Sequence, residues 1–231
     1  MLDPKGRVAM VSGGSRGIGK AVVEKLLSLG YTVSIGVRDP SRIEARDGLS
    51  VHRYDATDAA AATAWVEATM AMHKRIDVLV NAAGINSMAR LSDGDETALD
   101  SLWLVNVKAP MRLIRAAWSG LAAGGEGRVI NLSSLSGKRV KNDNVGYAMS
   151  KSALLSLTQA VRREGWELGI RASAVCPGFV ETDMTSYVTK MPRDQMSRPE
   201  DLAELVATLV RLPNTATVAE LLMNCRHEDT L

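Results

Sequence analysis

A single α/β domain is the fold class predicted for this chain of 231 residues: a doubly wound, mostly parallel sheet with helices on both faces. Three observations predict it. Short apolar stretches alternate repeatedly with longer stretches of helical period. The strand candidates lack polar alternation, as strands do when helices cover both faces of their sheet. No linker, repeat or low-complexity tract divides residues 1–231, and that length suits one large domain better than two.

The elements follow in order. "RVAMV" (7–11) is a short β-rich run followed by glycines. Ile18, Val22, Leu26 and Leu29 then recur at a helical period, and Gly30 ends the run. "YTVSIGV" (31–37) is a nearly all-apolar strand, and "LSVHRY" (49–54) a weaker one. Residues 57–74 read as a helix with Thr57 as candidate cap, and "IDVLV" (76–80) as another strand. Residues 95–122 read as a long helix that Pro110 is expected to bend or interrupt. "GRVINLS" (127–133) is a strand, 145–168 a helix, and "RASAVC" (171–176) a strand stopped by Pro177 and Gly178. A helix over 198–212 has Pro199 in its first turn, and "TVAELLM" (217–223) is a final short strand. A doubly wound sheet binds ligands at the carboxyl ends of its strands. Chemistry is therefore expected after Val11, Val37, Val80, Leu132 and Cys176.

Composition excludes several classes. The chain is 46% hydrophobic with one Phe, so its core is built from Ala, Val, Leu, Ile and Met. A net charge of +2 gives no electrostatic reason to expect nucleic acid or an anionic membrane as partner. His52, His73 and His227 make no metal-ligand spacing with one another or with Cys176 and Cys225, so no metal is expected. Both cysteines lie in apolar surroundings, which fits reduced thiols. No apolar run reaches about 18 residues. The N-terminus enters a strand with no charged-then-apolar leader, and cytoplasm is the expected location.

After the first strand, Gly13, Gly17 and Gly19 form GxxxGxG with a helix starting inside the pattern. Glycines there permit a tight turn and let a diphosphate approach backbone N–H groups at a helix N-terminus. An ordinary glycine-rich turn is the alternative; the strand before and the helix after favour a nucleotide. The second strand ends Val37-Arg38-Asp39. NAD-specific proteins of this fold commonly place a carboxylate at that point for the ribose hydroxyls. Valine cannot accept those bonds, whereas Arg38, with Arg16 from the glycine loop, suits a 2′-phosphate. NADP(H) is therefore expected over NAD(H). In the alternative, both arginines are solvated and Asp39 takes the acidic role.

"VGYAMSKSAL" (145–154) places Tyr147 and Lys151 one helical turn apart on one face. With this pair the chain resembles the short-chain dehydrogenase/reductase family over about residues 5–185. "SGGSRGIG" resembles the family's cofactor loop, with Ser12 where Thr is more usual. "NAAG" (81–84), Asn106 in the long helix, Ser134 thirteen residues before Tyr147, the YxxxK motif and "CPGFVETDM" resemble its other signatures, in the family's order.

The resemblance implies a Rossmann-type domain and hydride transfer between a nicotinamide and a small carbonyl or alcohol. Tyr147 would be the acid in reduction and the base in oxidation. A free phenol has a pKa of about 10, and the Lys151 ammonium, with the cofactor's positive ring when oxidised, is expected to lower it. Lys151 would also hold the ribose hydroxyls. Ser134 would bind the substrate oxygen, and Asn106 would fix a water that carries protons away from Lys151. The cofactor positions implied are Gly13, Ser15, Arg16, Gly17, Ile18 and Gly19, then Arg38, Asp55, Ala56, Asn81, Ala82 and Gly84, then Tyr147 and Lys151, then Pro177, Gly178, Val180 and Thr182. Plainer roles stand beside these. Ser134 could cap a turn, Asn106 could bond to a neighbouring backbone, "NAAG" could stabilise the sheet, and Thr182 could cap a helix.

The resemblance fades after Met184. A short lid is expected near 183–198, and the end of the chain lacks the family's glycine-rich strand. Lys138, Arg139, Lys141, Lys190, Arg193 and Arg198 either face an acidic substrate or, as charge runs usually do, face water. Met149, Met184, Met191 and Met196 either line a pocket or fill the core. The resemblance further implies a homodimer or homotetramer through helices 95–122 and 145–168, with Leu102, Trp103 and Trp118 buried between subunits. The runner-up function is a non-catalytic NAD(P)-binding redox sensor on the same fold. An intact Ser134-Tyr147-Lys151 set argues against it.

Overall fold

The first strand, β1 (Val8–Ser12), is buried along its whole length. That is what a stretch without polar alternation requires at the centre of a sheet covered on both faces. Around it stand β2 (Thr32–Val37), β3 (Leu49–Arg53), β4 (Val78–Asn81), β5 (Arg128–Leu132), β6 (Arg171–Pro177) and β7 (Glu220–Met223). The strand order is β3-β2-β1-β4-β5-β6-β7 and every pairing is parallel. The order reverses between β1 and β4, which opens the crevice in which a doubly wound sheet holds its ligand. This computed structural model describes residues 1–44 and 46–227. The single-domain span expected over 1–231 thus includes Ala45 and residues 228–231, which lie outside the described residues.

Alternate side chains along each strand feed opposite cores. On one face Ala9, Val11, Ile35, Val80, Ile130 and Val175 pack against Val22 and Leu26 of α1 (Gly17–Ser28) and Leu202 and Val206 of α6 (Pro199–Arg211). On the other, Met10, Leu79, Val129 and Ala172 meet three helices: α2 (Ala61–His73), α4 (Ala109–Ala123) and α5 (Val145–Gly165). Trp65 fills the α2 side of that core and its indole N–H donates to Ser34 Oγ at 2.9 Å. Ser34 and Thr69 share a further bond of 2.8 Å, so no polar atom of this buried group is left unpaired.

The helix expected over 95–122 is divided into α3 (Thr97–Trp103), a π-helical turn (Leu104–Lys108) and α4. Pro110 is the cause. It has no N–H for the carbonyl four residues back, which belongs to Asn106, and its ring crowds that carbonyl. The backbone widens instead: Ala109 N–H donates five residues back to the Leu104 carbonyl. The predicted interruption is present, one turn earlier than the proline itself.

One oligomer expectation is corrected. Leu102 is 0% exposed inside the single chain, packed near Gly146, and is not available to a partner. Trp118 packs against the second core, and Trp103 alone of the three stays substantially exposed. No helix among the described residues is long and apolar enough to cross a membrane.

Trp65→Ala empties a fully buried site and removes one of the two hydrogen bonds of the Ser34 hydroxyl. Urea unfolding is expected to show a loss of about 3–5 kcal/mol.

Candidate active site at the carboxyl ends of the strands

The glycine loop joins β1 to α1. Gly13 has φ of 70°, and a Cβ there would lie 2.8 Å from the Ala83 nitrogen, so the loop presses on the segment after β4. Ser12 ties the two together: its Oγ accepts from Ala82 N–H and Ala83 N–H, both at 3.2 Å. The serine that replaces the more usual threonine thus makes a contact that the sequence did not assign to it. At α1 the N-cap residue, Arg16, provides no side-chain cap, so the first N–H groups remain open to an anion. Arg16 does not reach toward the end of β2. It pairs with Asp183 of the lid at 3.3 Å, and both side chains are exposed. Gly17 lies against Thr182, whose methyl would be 3.3 Å from a Cβ placed there. The base of the lid therefore closes over the glycine loop.

At the end of β2, Asp39 is already engaged. It caps a 3₁₀ turn (Pro40–Arg42), accepting from Ser41 N–H at 3.2 Å, Ser41 Oγ–H at 2.6 Å and Arg42 Nε–H at 3.0 Å. These bonds, the Ser41 hydroxyl first, hold its carboxyl below the usual range. Arg38 is exposed and makes no hydrogen bond or ion pair with another described residue. Its charge is felt by Asp55, whose carboxyl is lowered mainly by the N–H and hydroxyl of Thr57. Asp55 and Ala56 lie together just beyond β3.

Asn81 lies elsewhere than expected. Its side chain is buried and its amide donates to Asn131 Oδ1 at 2.8 Å, while Asn131 donates to Thr158 Oγ at 2.8 Å. This amide chain couples β4, β5 and α5 through the Asn81 Nδ2, while its buried Oδ1 has no partner among the described residues. Asn106 likewise uses its side chain on structure. Its Oδ1 accepts from Ile85 N–H at 2.9 Å, and its Nδ2 donates to the Ile85 carbonyl at 3.0 Å and Ser150 Oγ at 3.1 Å. The plainer alternatives hold for both side chains. What Asn106 has left is its main-chain carbonyl, deprived of an α-helical donor by Pro110.

Ser134, Tyr147 and Lys151 converge at the end of β5. Ser134 caps a 3₁₀ turn (Leu135–Gly137), accepting from Ser136 N–H at 3.1 Å. Gly137 sits so tightly on α5 that a Cβ would lie 2.8 Å from the Lys151 carbonyl carbon. Ser133 Oγ donates to that residue's carbonyl oxygen at 2.9 Å. The turn and the helix are thus locked together, and the Ser134 hydroxyl comes within hydrogen-bonding reach of the Tyr147 phenol. The Lys151 amine donates to the Leu132 carbonyl at 2.8 Å and lies 5.7 Å from the centre of the Tyr147 ring. Gly84 leaves space above it: a Cβ at that position would be 3.6 Å from Nζ and 3.3 Å from Asn106 Oδ1.

The electrostatics differ from expectation. Burial pushes the Tyr147 phenol up to about 12; Ser134's hydrogen bond works against this and the Tyr187 phenol adds to it. Burial also pulls the Lys151 amine down to about 8. The expected acid phenol is therefore not a property of the chain's own groups. Desolvation is the largest influence on the phenol and is not offset by an amine 5.7 Å from the ring centre.

On the far wall, Pro177 ends β6, and Gly178 abuts Asn224, whose Oδ1 would be 2.4 Å from a Cβ there. Val180 turns its side chain into the core and pairs with Ser197. Thr182 caps a 3₁₀ turn (Asp183–Thr185). Met149 and Met184 are exposed, while Met191 and Met196 are buried as core filler. Lys138 pairs with Glu220 at 2.7 Å and Arg193 with Glu181 at 3.5 Å, which takes two cations out of any acid-binding set. No group of three or more His, Cys, Asp or Glu side chains among the described residues could hold a metal ion.

Two residues carry structure that sequence reasoning missed. Asn144, buried, caps α5 just ahead of Tyr147, and Tyr187 of the lid bonds to Asn86 at 2.8 Å. The N-cap asparagine was the readable signal for the first; nothing local marks the second.

The described groups fit a dinucleotide. The uncapped helix start suits its diphosphate, the buried Lys151 amine beside side-chain-free Gly84 suits a ribose, and unpaired Arg38 suits a phosphate at the adenosine end. Comparison with known proteins agrees. The family model described as short chain dehydrogenase matches residues 7–193. An agropine synthesis reductase of Rhizobium rhizogenes is 39% identical over 227 residues, covering 96% of this chain and 53% of its own length. The chain thus spans about half of that relative. A 3-ketoacyl-(acyl-carrier-protein) reductase from Brucella melitensis complexed with NADH superposes with a TM-score of 0.88 at 26% identity, covering 96% of this chain and 98% of that one. A metagenomic short-chain oxidoreductase in complex with NADP gives 0.82 at 32% identity, covering 98% and 100%.

The Lys151 shift fixes a sign for stability. With its folded pKa near 8 and an ordinary value of 10.5, the unfolded chain binds the extra proton between them. Stability from this group rises with pH through that window and is absent below it. Between pH 8 and 9 the wild type is expected to gain on Lys151→Met by up to roughly 1.4 kcal/mol per unit, read from urea midpoints.

Proposed function

The chain belongs to the short-chain dehydrogenase family of oxidoreductases, and on that premise we propose that it transfers hydride between NADP(H) and a small carbonyl or alcohol substrate. The observation that carries this reading is the convergence of Ser134, Tyr147 and Lys151 beside the open start of α1. Bound there, the dinucleotide supplies the hydride in reduction and receives it in oxidation. The chain's residues handle the proton and the orientation. Ser134 donates a hydrogen bond to the substrate oxygen and stabilises the charge that grows on it. Tyr147 gives its phenolic proton to that oxygen in reduction and takes one back in oxidation. The Lys151 ammonium offsets the negative charge left on the phenol and holds the ribose. The Asn106 carbonyl, freed by Pro110, is the acceptor that holds a water within reach of Lys151.

The preference for NADP(H) rests on Arg38. It has no competing partner among the described residues, and Asp39, its rival for the ribose end, is committed to Ser41 and Arg42. Gly13, Ser15, Gly17, Ile18 and Gly19 present the diphosphate site. Asp55 and Ala56 flank the adenine, and the backbone of Asn81, Ala82 and Gly84 lines the adenosine side. Pro177, Gly178, Val180 and Thr182 form the nicotinamide wall, Val180 through its backbone. Arg16 acts from the lid side, through Asp183. A homodimer or homotetramer through α3, α4 and α5 remains part of the reading, with exposed Trp103 of α3 at its surface.

Tyr147→Phe keeps the ring and removes the proton. NADPH oxidation with a panel of aldehydes, ketones and quinones is expected to fall by at least about a thousandfold, with NADPH affinity within a few-fold. Retained turnover would overturn the assignment. Arg38→Ala is expected to weaken NADPH by roughly 10- to 100-fold and NADH hardly at all in fluorescence titrations. Equal losses would show that Arg38 does not read the phosphate.

A further inference from the structure

The loop after β4 and the lid meet in a hydrogen-bond chain that proton and hydride transfer do not use. It starts at Asn144, which is 6% exposed. Asn144 Oδ1 accepts from Ala89 N–H at 3.0 Å and from Tyr147 N–H at 3.4 Å. Only the oxygen of an amide accepts, so these backbone donors fix its orientation. Its Nδ2 must then face the loop, where it donates to Asn86 Oδ1 at 2.8 Å and the Ser87 carbonyl at 3.0 Å. Asn86 is in turn held with its oxygen inward, and its Nδ2 donates outward to the Tyr187 hydroxyl at 2.8 Å.

Every bond in the chain has one possible polarity. Tyr187 receives at its oxygen, and its own O–H donates to no other described residue. The ring is 64% exposed, on the lid. Its phenol lies within electrostatic reach of Tyr147. A run of bonds that all point the same way polarises its last donor. That donor is a hydroxyl proton not committed to another described residue, on a phenol whose charge is felt by Tyr147.

We propose that Tyr187, oriented by Asn86 and Asn144, binds a second acceptor oxygen of the substrate. The site thereby selects carbonyl compounds that carry such an oxygen, for example 3-oxo esters, over simple ketones. The inference rests on the hydride-transfer reading for the location of the reacting carbonyl, and it adds the substrate class.

The test separates recognition from turnover. Binding of ethyl acetoacetate and of 2-hexanone is measured by ligand-observed NMR on Tyr147→Phe protein, with and without NADPH, before and after adding Tyr187→Phe or Asn86→Ala. Tyr187→Phe is expected to weaken the ester roughly five- to tenfold and the ketone less than about twofold, with Asn86→Ala showing the same selectivity at smaller size. Equal weakening of both ligands, or none for the ester, overturns the inference. A lid latch alone would alter both ligands equally and counts against it. Selective binding alongside no hydride transfer by the wild type would keep this inference and remove the enzyme reading. Turnover without selectivity would do the reverse.

Discussion

A lysine amine buried against the carbonyl that ends β5 is the constraint from which the site is built. Lys151 is 6% exposed, and its bond to the Leu132 carbonyl is one of several ties that hold α5 at the end of β5. Ser133 bonding to the Lys151 carbonyl is another, and Gly137 seated on the same peptide is a third. Moving the helix would leave the amine buried without a partner, a penalty that new packing elsewhere on the helix does not offset. With α5 held in this way, Tyr147 one turn earlier and Ser134 on the packed turn have their positions set relative to the strand end.

Burial drives the two titrating groups in ways that suit a proton donor. Near neutrality a phenol pushed up to about 12 keeps its proton, and an amine at about 8 keeps most of its charge. The alkoxide produced when hydride adds to a ketone is a much stronger base than a phenolate. On the proposed reading it would take the proton from Tyr147 even though that phenol is less acid than usual, and the ammonium would then stabilise what is left. An acid phenol would be partly ionised beforehand, with less of it able to donate. In that reading the lysine acts on the product of the proton transfer rather than preparing the phenol for it.

Most of the fold was legible because it depends on local pattern. Uninterrupted apolar runs marked the strands, helical spacing from Ile18 to Leu29 marked α1, and Pro110 marked a break in the long helix. The proximity of Tyr147 and Lys151 was legible for a similar reason, since they are one helical turn apart. What was not legible depends on the direction a side chain takes across the fold. Asn81 and Asn106 look available in sequence, yet their amides are consumed by Asn131, Ser150 and the backbone of Ile85. Leu102 reads as surface on an amphipathic helix but lies inward against α5. The Asn86–Tyr187 contact joins residues 101 positions apart, and no periodicity points to it. Nor could the direction of the Tyr147 shift be read, because desolvation is set by the whole packed environment and the lysine charge by one neighbour.

The supporting layer is made largely of carboxamides, and the reason is electrostatic. Asn81, Asn131, Asn106 and Asn144 join four segments around Lys151 and Tyr147 without adding a formal charge. Aspartate has nearly the same shape, and in place of Asn106 it would set a carboxylate beside Gly84, the position next to the lysine amine. In a low-dielectric site that charge would pair with the ammonium and hold it in the protonated form. The amine is instead influenced by desolvation and, weakly, by the Cys176 thiol, so no fixed anion claims its charge. On the proposed reading that charge is available for the oxygen that turns negative as a proton leaves the phenol, and neutral amides would lock the geometry around one uncommitted cation.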